Sequence, residues 1–239
     1  MRVALVQSSP VFGDIGANLR QLLAAIAANE ADLYVLPELC LSGYDFDGPS
    51  QLAPFAQEAG AEPLEALARA AAERGAGIAF GFAESAGGKL YNSSCLALPD
   101  GRRRVYRKTH LFPTERLAAG GWSTAGRSPV VVHTPLCSFG LTLCYDGDFP
   151  ELYRCEALAG AEVILRPSAL LRSFEIWELT NRARAYDNHV YLAACNAVGS
   201  DAGENYYFGH SMIVSPIAQV LALARGGEEI ISAELDPDP

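Results

Sequence analysis

The amino-acid sequence predicts an α/β fold, a mixed and largely buried sheet system with helices packed outside it. Three observations carry that expectation. Short apolar runs, often β-branched and bounded by Gly, Pro, Asn or Asp, recur along the chain, as strands do. Stretches with helical spacing separate some of them. Several runs are apolar at nearly every position, which suits strands covered on both faces.

In chain order, "RVALVQ" at the start, "DLYVLPE" at 32–38 and "AGIAFGFAE" at 76–84 read as strands. "NSSCLALPD" at 92–100, "PVVVHT" at 129–134 and "FGLTLCYD" at 139–146 follow. "AEVILRPS", "HVYLAACNA", "FGHSMIVSP", "QVLALA" and "EEIISAEL" complete the series. Between them, Leu19, Leu22, Leu23 and Ile26 fall on one helical stripe, as do Leu64, Leu67, Ala68 and Ala71. Leu152, Cys155 and Leu158 form a shorter stripe, and Ile176, Leu179, Ala183 and Tyr186 another. Early strands alternate with helices, whereas later ones succeed each other as hairpins do.

The chain has 239 residues, of which 50% are apolar and 19% charged, a globular composition. No linker, charge block or composition shift divides it, so one domain over 1–239 is expected. A net charge of −10 argues against a nucleic-acid or anionic-membrane partner, which would require clustered cations. No apolar run approaches the ~20 residues of a membrane span. "MRVALVQSSP" lacks the apolar core and cleavage site of a signal peptide, so a cytoplasmic protein is expected. The six cysteines have no CxxC pair and the four histidines no ligand spacing, which points to reduced thiols and to no metal or other cofactor.

"GLTLCYDGDFPE", residues 140–151, places Cys144 at the end of an apolar strand with Asp146, Asp148 and Glu151 close behind. Negative charge discourages a thiolate, and a buried cysteine is usually a small hydrophobe. Two of these carboxylates have a structural use instead. Asp148 is expected to cap a helix entered through Pro150, with Glu151 completing a capping box. A nucleophilic Cys144 needs a base, a cation and an oxyanion site. Glu38, in "LYVLPELCLSGY", follows a strand and has apolar flanks, so partial burial would raise its pKa toward that of a working base. Lys108 ends the basic run "RRRVYRK" where the chain enters apolar "HLF"; strand alternation sets it on one face with Tyr106, Arg104 and Arg102. The arginines of this run read as charges on a solvated edge strand. Glu115 in "HLFPTERLAAGG" lies on a loop, where a surface role is the ordinary outcome.

The segments "LPELCLSGY", "YRKTHLF" and "CYDGDFPE", in that order, resemble the signature regions of the nitrilase superfamily of carbon–nitrogen hydrolases. The likeness extends to "RVALVQ", "GAEVILRPSAL", "NRARAYDNHVYLAACNAVG" and "FGHSMIVSP". The resemblance implies a four-layer αββα sandwich, commonly dimerised so that sandwiches stack, and a triad of Glu38, Lys108 and Cys144. It implies Glu115 as the second glutamate that often follows the lysine motif. Arg107 and His110 flank Lys108 in that motif without an assigned step. The Lys108 ammonium and the Tyr145 N–H are expected to hold the oxyanion.

Tyr145–Asp146 stands where true nitrilases carry Trp–Glu, which resembles the amidase, carbamoylase and ω-amidase branches. The expected substrate is a small linear, non-peptide amide giving a carboxylate and ammonia through a thioester; an N-carbamoyl compound is the alternative, and a nitrile a more distant one. Arg166 and Arg172 are candidates to meet a substrate carboxylate, against the commoner fate of a surface ion pair. A Cys–His hydrolase would need a histidine beside Cys144, and no motif offers one. Many members carry a C-terminal tail that helps build the dimer, whereas this sequence ends at "ELDPDP", soon after its last strand; a homodimer or higher homo-oligomer is still expected.

Overall fold

The computed structural model describes residues 1–171, 173–200 and 205–237. Strands β1 (Arg2–Gln7), β2 (Leu33–Val35), β3 (Gly77–Ala86), β4 (Lys89–Ala97), β5 (Arg103–Arg107) and β14 (Glu229–Glu234) make one six-stranded sheet in the order β14-β1-β2-β3-β4-β5. Strands β6 (Val131–His133), β7 (Ser138–Leu141), β8 (Val163–Ser168), β9 (Tyr191–Asn196), β12 (Met212–Val214) and β13 (Val220–Leu223) make the other, in the order β13-β12-β9-β8-β7-β6. A ribbon of β10 (Val198–Gly199) and β11 (Tyr207–Phe208) lies apart from both.

Each sheet has a parallel centre, β1-β2-β3 in the first and β7-β8-β9 in the second, with antiparallel strands on both flanks. Parallel neighbours need crossovers, and helices supply them. The crossovers are α1 (Ile15–Ala27), the short α2 (Pro49–Leu52) and α3 (Glu62–Arg74) in the first half, then α4 (Pro150–Leu158) and α5 (Phe174–Asn188) in the second. Alternation followed by hairpins therefore occurs twice, where the sequence suggests it once.

The two sheets face each other. Along β1, Val3 and Leu5 join Phe139, Leu141, Val163 and Leu165 in the core between sheets. Ala4 and Val6 turn the other way, toward Leu22 and Ile26 of α1 and Leu67 of α3. This two-residue alternation is what a strand between two apolar layers requires. Burying a Leu, Ile or Val side chain fully is worth about 1.5–3 kcal/mol. Helices α1 and α3 thus cover the first sheet and α4 and α5 the second, giving four layers. Asp14 caps α1 by accepting the Ala17 N–H, and Gly75 ends α3 in the left-handed conformation.

Helices α4 and α5 overturn two sequence expectations. The buried residues of α4 are Leu152, Tyr153 and Glu156, and those of α5 are Trp177, Asn181, Ala185 and Asn188. Of the stripes read from the sequence, only Leu152 turns inward on α4, while Leu158 is 80% exposed, and on α5 Leu179 is 67% and Tyr186 56% exposed. The inward faces are partly polar, carrying Glu156 on α4 and Asn181 and Asn188 on α5, so apolar spacing misses much of the buried side. Among the described residues, no helix is long and apolar enough to cross a membrane.

Candidate active site

After β2 the chain stops pairing as a regular strand but keeps following β3. Leu36 N–H donates to the Ala79 carbonyl, Gly81 N–H to Pro37 and Cys40 N–H to Gly81. Glu38 lies between these anchors, 1% exposed. A Cβ on Gly81 would sit 2.5 Å from the Glu38 Cα, so a glycine is required where the two backbones meet. Lys108 follows β5 directly, and its N–H donates to the Asn92 carbonyl across the β4–β5 pair at 2.9 Å. Glu115 closes a short 3₁₀ turn, Pro113–Glu115, and is fully buried despite its loop position.

These three groups meet. Lys108 Nζ donates to Glu38 Oε1 at 2.8 Å and to Glu115 Oε1 at 2.7 Å, with all three side chains out of contact with solvent. Asn92 Nδ2 donates to the same two oxygens, at 2.7 and 2.8 Å. Tyr44 OH donates to Glu115 Oε1, Phe112 N–H to Glu115 Oε2, and Ala169 N–H to Glu38 Oε2. Burial opposes the Lys108 ammonium, but Glu115 and Glu38 hold its pKa above the ordinary lysine range. Burial pushes the Glu115 carboxyl up; Lys108 pulls it down and Glu38 adds to the rise.

Cys144 does not end the strand as expected. Strand β7 stops at Leu141, and Cys144 opens a 3₁₀ turn, Cys144–Asp148, with a φ of 39° that is rare for a residue with a side chain. Arg166 holds this conformation: its Nε and Nη2 both donate to the Cys144 carbonyl, at 2.9 and 2.6 Å. The guanidinium is fully buried, lies over Trp177 and donates to Thr180. A Cβ on Gly147 would lie 2.0 Å from this group, so the turn and the arginine are fitted to each other. Arg166 is therefore spoken for, which corrects its candidacy as a partner for a substrate carboxylate. Arg172, the other candidate, lies outside the described residues.

The cap expected of Asp148 does not form. Phe149 is the cap position of α4, without a side-chain bond, although Pro150 does open the helix. Asp146 does more than a turn residue would. Its buried carboxylate accepts the Leu143 N–H, Tyr106 OH, and His110 through both backbone N–H and ring. It thereby ties the turn carrying Cys144 to the segment carrying Lys108. His110 stacks on Phe149 at 3.9 Å, and Arg107 points away to a bidentate pair with Glu84.

Burial raises the Cys144 thiol well above the usual range; Glu38 adds to the rise, while Lys108, Arg166 and the Ala169 N–H oppose it. Burial therefore favours the neutral form of this thiol, and Glu38 and Lys108 act on it with opposite sign. A cavity of about 20 Å³ adjoins it, lined by Cys144 with Tyr44, Phe112, Tyr145, Ala169, Leu170 and Leu171. That space holds about one water. A much larger groove of about 560 Å³ borders Glu84, Lys89, Tyr91 and Arg107, and its lining includes no cysteine. Of these two spaces, the small cavity is the one that Cys144 lines.

Sequence reasoning missed Asn92, Tyr44 and the anchoring role of Arg166. The available signal was a polar residue inside an apolar strand: Asn92 in "YNSSCLAL" and Arg166 in "VILRPS".

The carbon-nitrogen hydrolase family model matches residues 2–238. The chain is 36% identical over 241 residues to an (R)-stereoselective amidase of Pseudomonas sp, covering 100% of this chain and 86% of that one. It is 34% identical over 246 residues to the omega-amidase NIT2 of Xenopus tropicalis, covering 98% and 88%. Among solved structures, Saccharomyces cerevisiae Nit3, a member of branch 10 of the nitrilase superfamily, superposes with a TM-score of 0.89 at 31% identity, covering 100% and 90%. A mutant of the amidase from Nesterenkonia sp. AN1 in complex with butyramide gives a TM-score of 0.85 at 28% identity, covering 98% and 90%.

Proposed function

The chain belongs to the carbon–nitrogen hydrolase family, and on that premise we propose that Cys144, Glu38, Lys108 and Glu115 hydrolyse a small linear, non-peptide amide to a carboxylate and ammonia. One observation carries the assignment of roles: a buried lysine bonded at once to two buried glutamates, with a buried thiol beside the same carboxylate and ammonium.

The neutral thiol requires a base at the moment of attack. Glu38 takes the proton as Cys144 Sγ bonds to the amide carbon, and the carbonyl electron pair moves onto oxygen. The Lys108 ammonium and the Tyr145 N–H receive that oxyanion; losing one such donor costs ~100- to 1000-fold in rate. Collapse breaks the C–N bond while Glu38 returns its proton to the leaving nitrogen, releasing ammonia and leaving a thioester. Water, deprotonated by Glu38, attacks the thioester. The acid departs and the thiol regains its proton. Glu115 holds Lys108 in place through the bond to its Nζ.

We assign the chain one hydrolase domain and a cytoplasmic setting, since its six cysteines are unpaired thiols. A second copy is proposed to cover the exposed apolar residues of α4 and α5. Butyramide, the ligand of a related amidase, is the first substrate to test. Incubation with butyramide, a dicarboxylate monoamide, an N-carbamoyl amino acid and a nitrile, with ammonia and carbon dioxide measured, is expected to show ammonia from an amide and none with Cys144→Ala. Turnover confined to the N-carbamoyl compound, with carbon dioxide released, would move the substrate to that class. No release from any compound, or an active Cys144→Ala, would sink the reading.

A further inference from the structure

Asn92 is not among the four side chains given chemical roles, yet it touches two of them. It stands on β4 opposite Lys108, whose N–H donates to the Asn92 carbonyl, and neighbours across an antiparallel pair share a face. Its own backbone N–H donates to Ser123 Oγ at 3.1 Å. Its side-chain nitrogen donates to Glu38 Oε1 at 2.7 Å and Glu115 Oε1 at 2.8 Å, the two oxygens that also receive Lys108 Nζ. A side-chain amide has two N–H groups, and both are used. Its Oδ1 is buried with no hydrogen-bond partner among the described residues. An orphaned acceptor in a core calls for a reason.

The charges supply one. Two carboxylates converge on one ammonium, which cannot neutralise both, and a glutamate that holds a proton is no base. A neutral group with two donors relieves both carboxylates without adding charge. Aspartate there would bring a third carboxylate, and leucine would bring no donor. Only the amide nitrogen can face the two oxygens, so the carbonyl end is left unpaired.

We propose that Asn92 is a positioning residue that fixes Glu38 and Glu115 around Lys108, with Glu38 held toward Cys144. The inference rests on Glu38 being the base for Cys144. The titratable and charged groups facing this pair are Lys108, Cys144 and Tyr44.

The test reads thiol reactivity apart from turnover. The rate of Cys144 alkylation by iodoacetamide is followed from about pH 5 to about pH 9 for wild type, Asn92→Ala and Asn92→Asp, with butyramide kinetics in parallel. Losing a hydrogen bond to a carboxylate raises its pKa. The acid limb is therefore expected to move up by about one pH unit in Asn92→Ala and further in Asn92→Asp. The turnover number is expected to fall about 10- to 100-fold with KM near wild type. If Asn92→Ala does not fold, Asn92→Ser, which keeps one donor, must show the same shift at smaller size. A folded variant with an unmoved acid limb, or a loss confined to KM, overturns the proposal. Wild type that alkylates with this pH dependence but hydrolyses no amide or carbamoyl compound would defeat the proposed function while leaving Asn92 measurable.

Discussion

A cysteine with a φ of 39° needs something to keep it there, and Arg166 is the only charged side chain bonded to its carbonyl among the described residues. Its planar fork makes two bonds to one oxygen, a geometry that lysine cannot copy. Arg166→Lys is expected to fold and to lose about 100-fold in kcat/KM for butyramide, because misplacing a nucleophile by about 1 Å costs that much. Steady-state kinetics beside a thermal melt decide it: a variant within twofold of wild type would deny Arg166 this role. The same residue shows how far sequence reading reaches. Arginine in "VILRPS" leaves a surface ion pair and a substrate carboxylate open on sequence grounds; only the fold shows that it faces backward, onto the Cys144 carbonyl. Glu38, Lys108 and Cys144 are legible because each ends or follows a recognisable strand. Glu115 is legible only through resemblance, since its burial depends on a loop folding back over Tyr44 and Asn92.

Helix α4 shows what apolar spacing cannot say. Its inward face carries Glu156, fully buried under Gly140; the Glu156 carboxylate lies near the Val130 and Leu141 backbone without a well-formed hydrogen bond to any described residue. Burial raises its pKa well above the ordinary range, Asp146 adds to the rise, and the backbone of Val130 and Leu141 opposes it. The folded chain therefore holds a proton that the unfolded chain, with a glutamate pKa near ~4.3, gives up. Stability from this group is greatest below that pH and declines as pH rises toward the folded pKa, by about 1.4 kcal/mol per pH unit. Glu156→Gln removes the titration. Urea midpoints are expected to fall between about pH 5 and about pH 8 for wild type and to change less for the variant; parallel pH dependences would refute the assignment. Strands are more legible than helices because β1, β3 and β8 carry short apolar runs such as "VALV", "IAFGFA" and "VIL". The second-half helices bury Asn181, Asn188 and Glu156, residues that a hydrophobic pattern assigns to water.

At the scale of the whole molecule, the outward faces of α4 and α5 expose Leu158, Ile176, Leu179 and Tyr186 together. The two helices pack side by side, so these residues belong to one side of the sandwich. Leu179→Glu with Tyr186→Glu is expected to turn a dimer into a monomer in sedimentation velocity at micromolar concentration, with little loss of melting temperature. A wild type that sediments as a monomer would refute the paired state. The repeated strand–helix pattern has a consequence for the site itself. The first half carries Glu38, Lys108 and Glu115, and the second carries Cys144 and Arg166, while β14 returns from the end of the chain to pair with β1. Proton handling and nucleophile are thus made on separate pieces of the chain, and neither piece is complete alone. During synthesis the thiol emerges after its base but meets it only when the second sheet docks. On the roles proposed above, thiol reactivity would report that the two halves have docked.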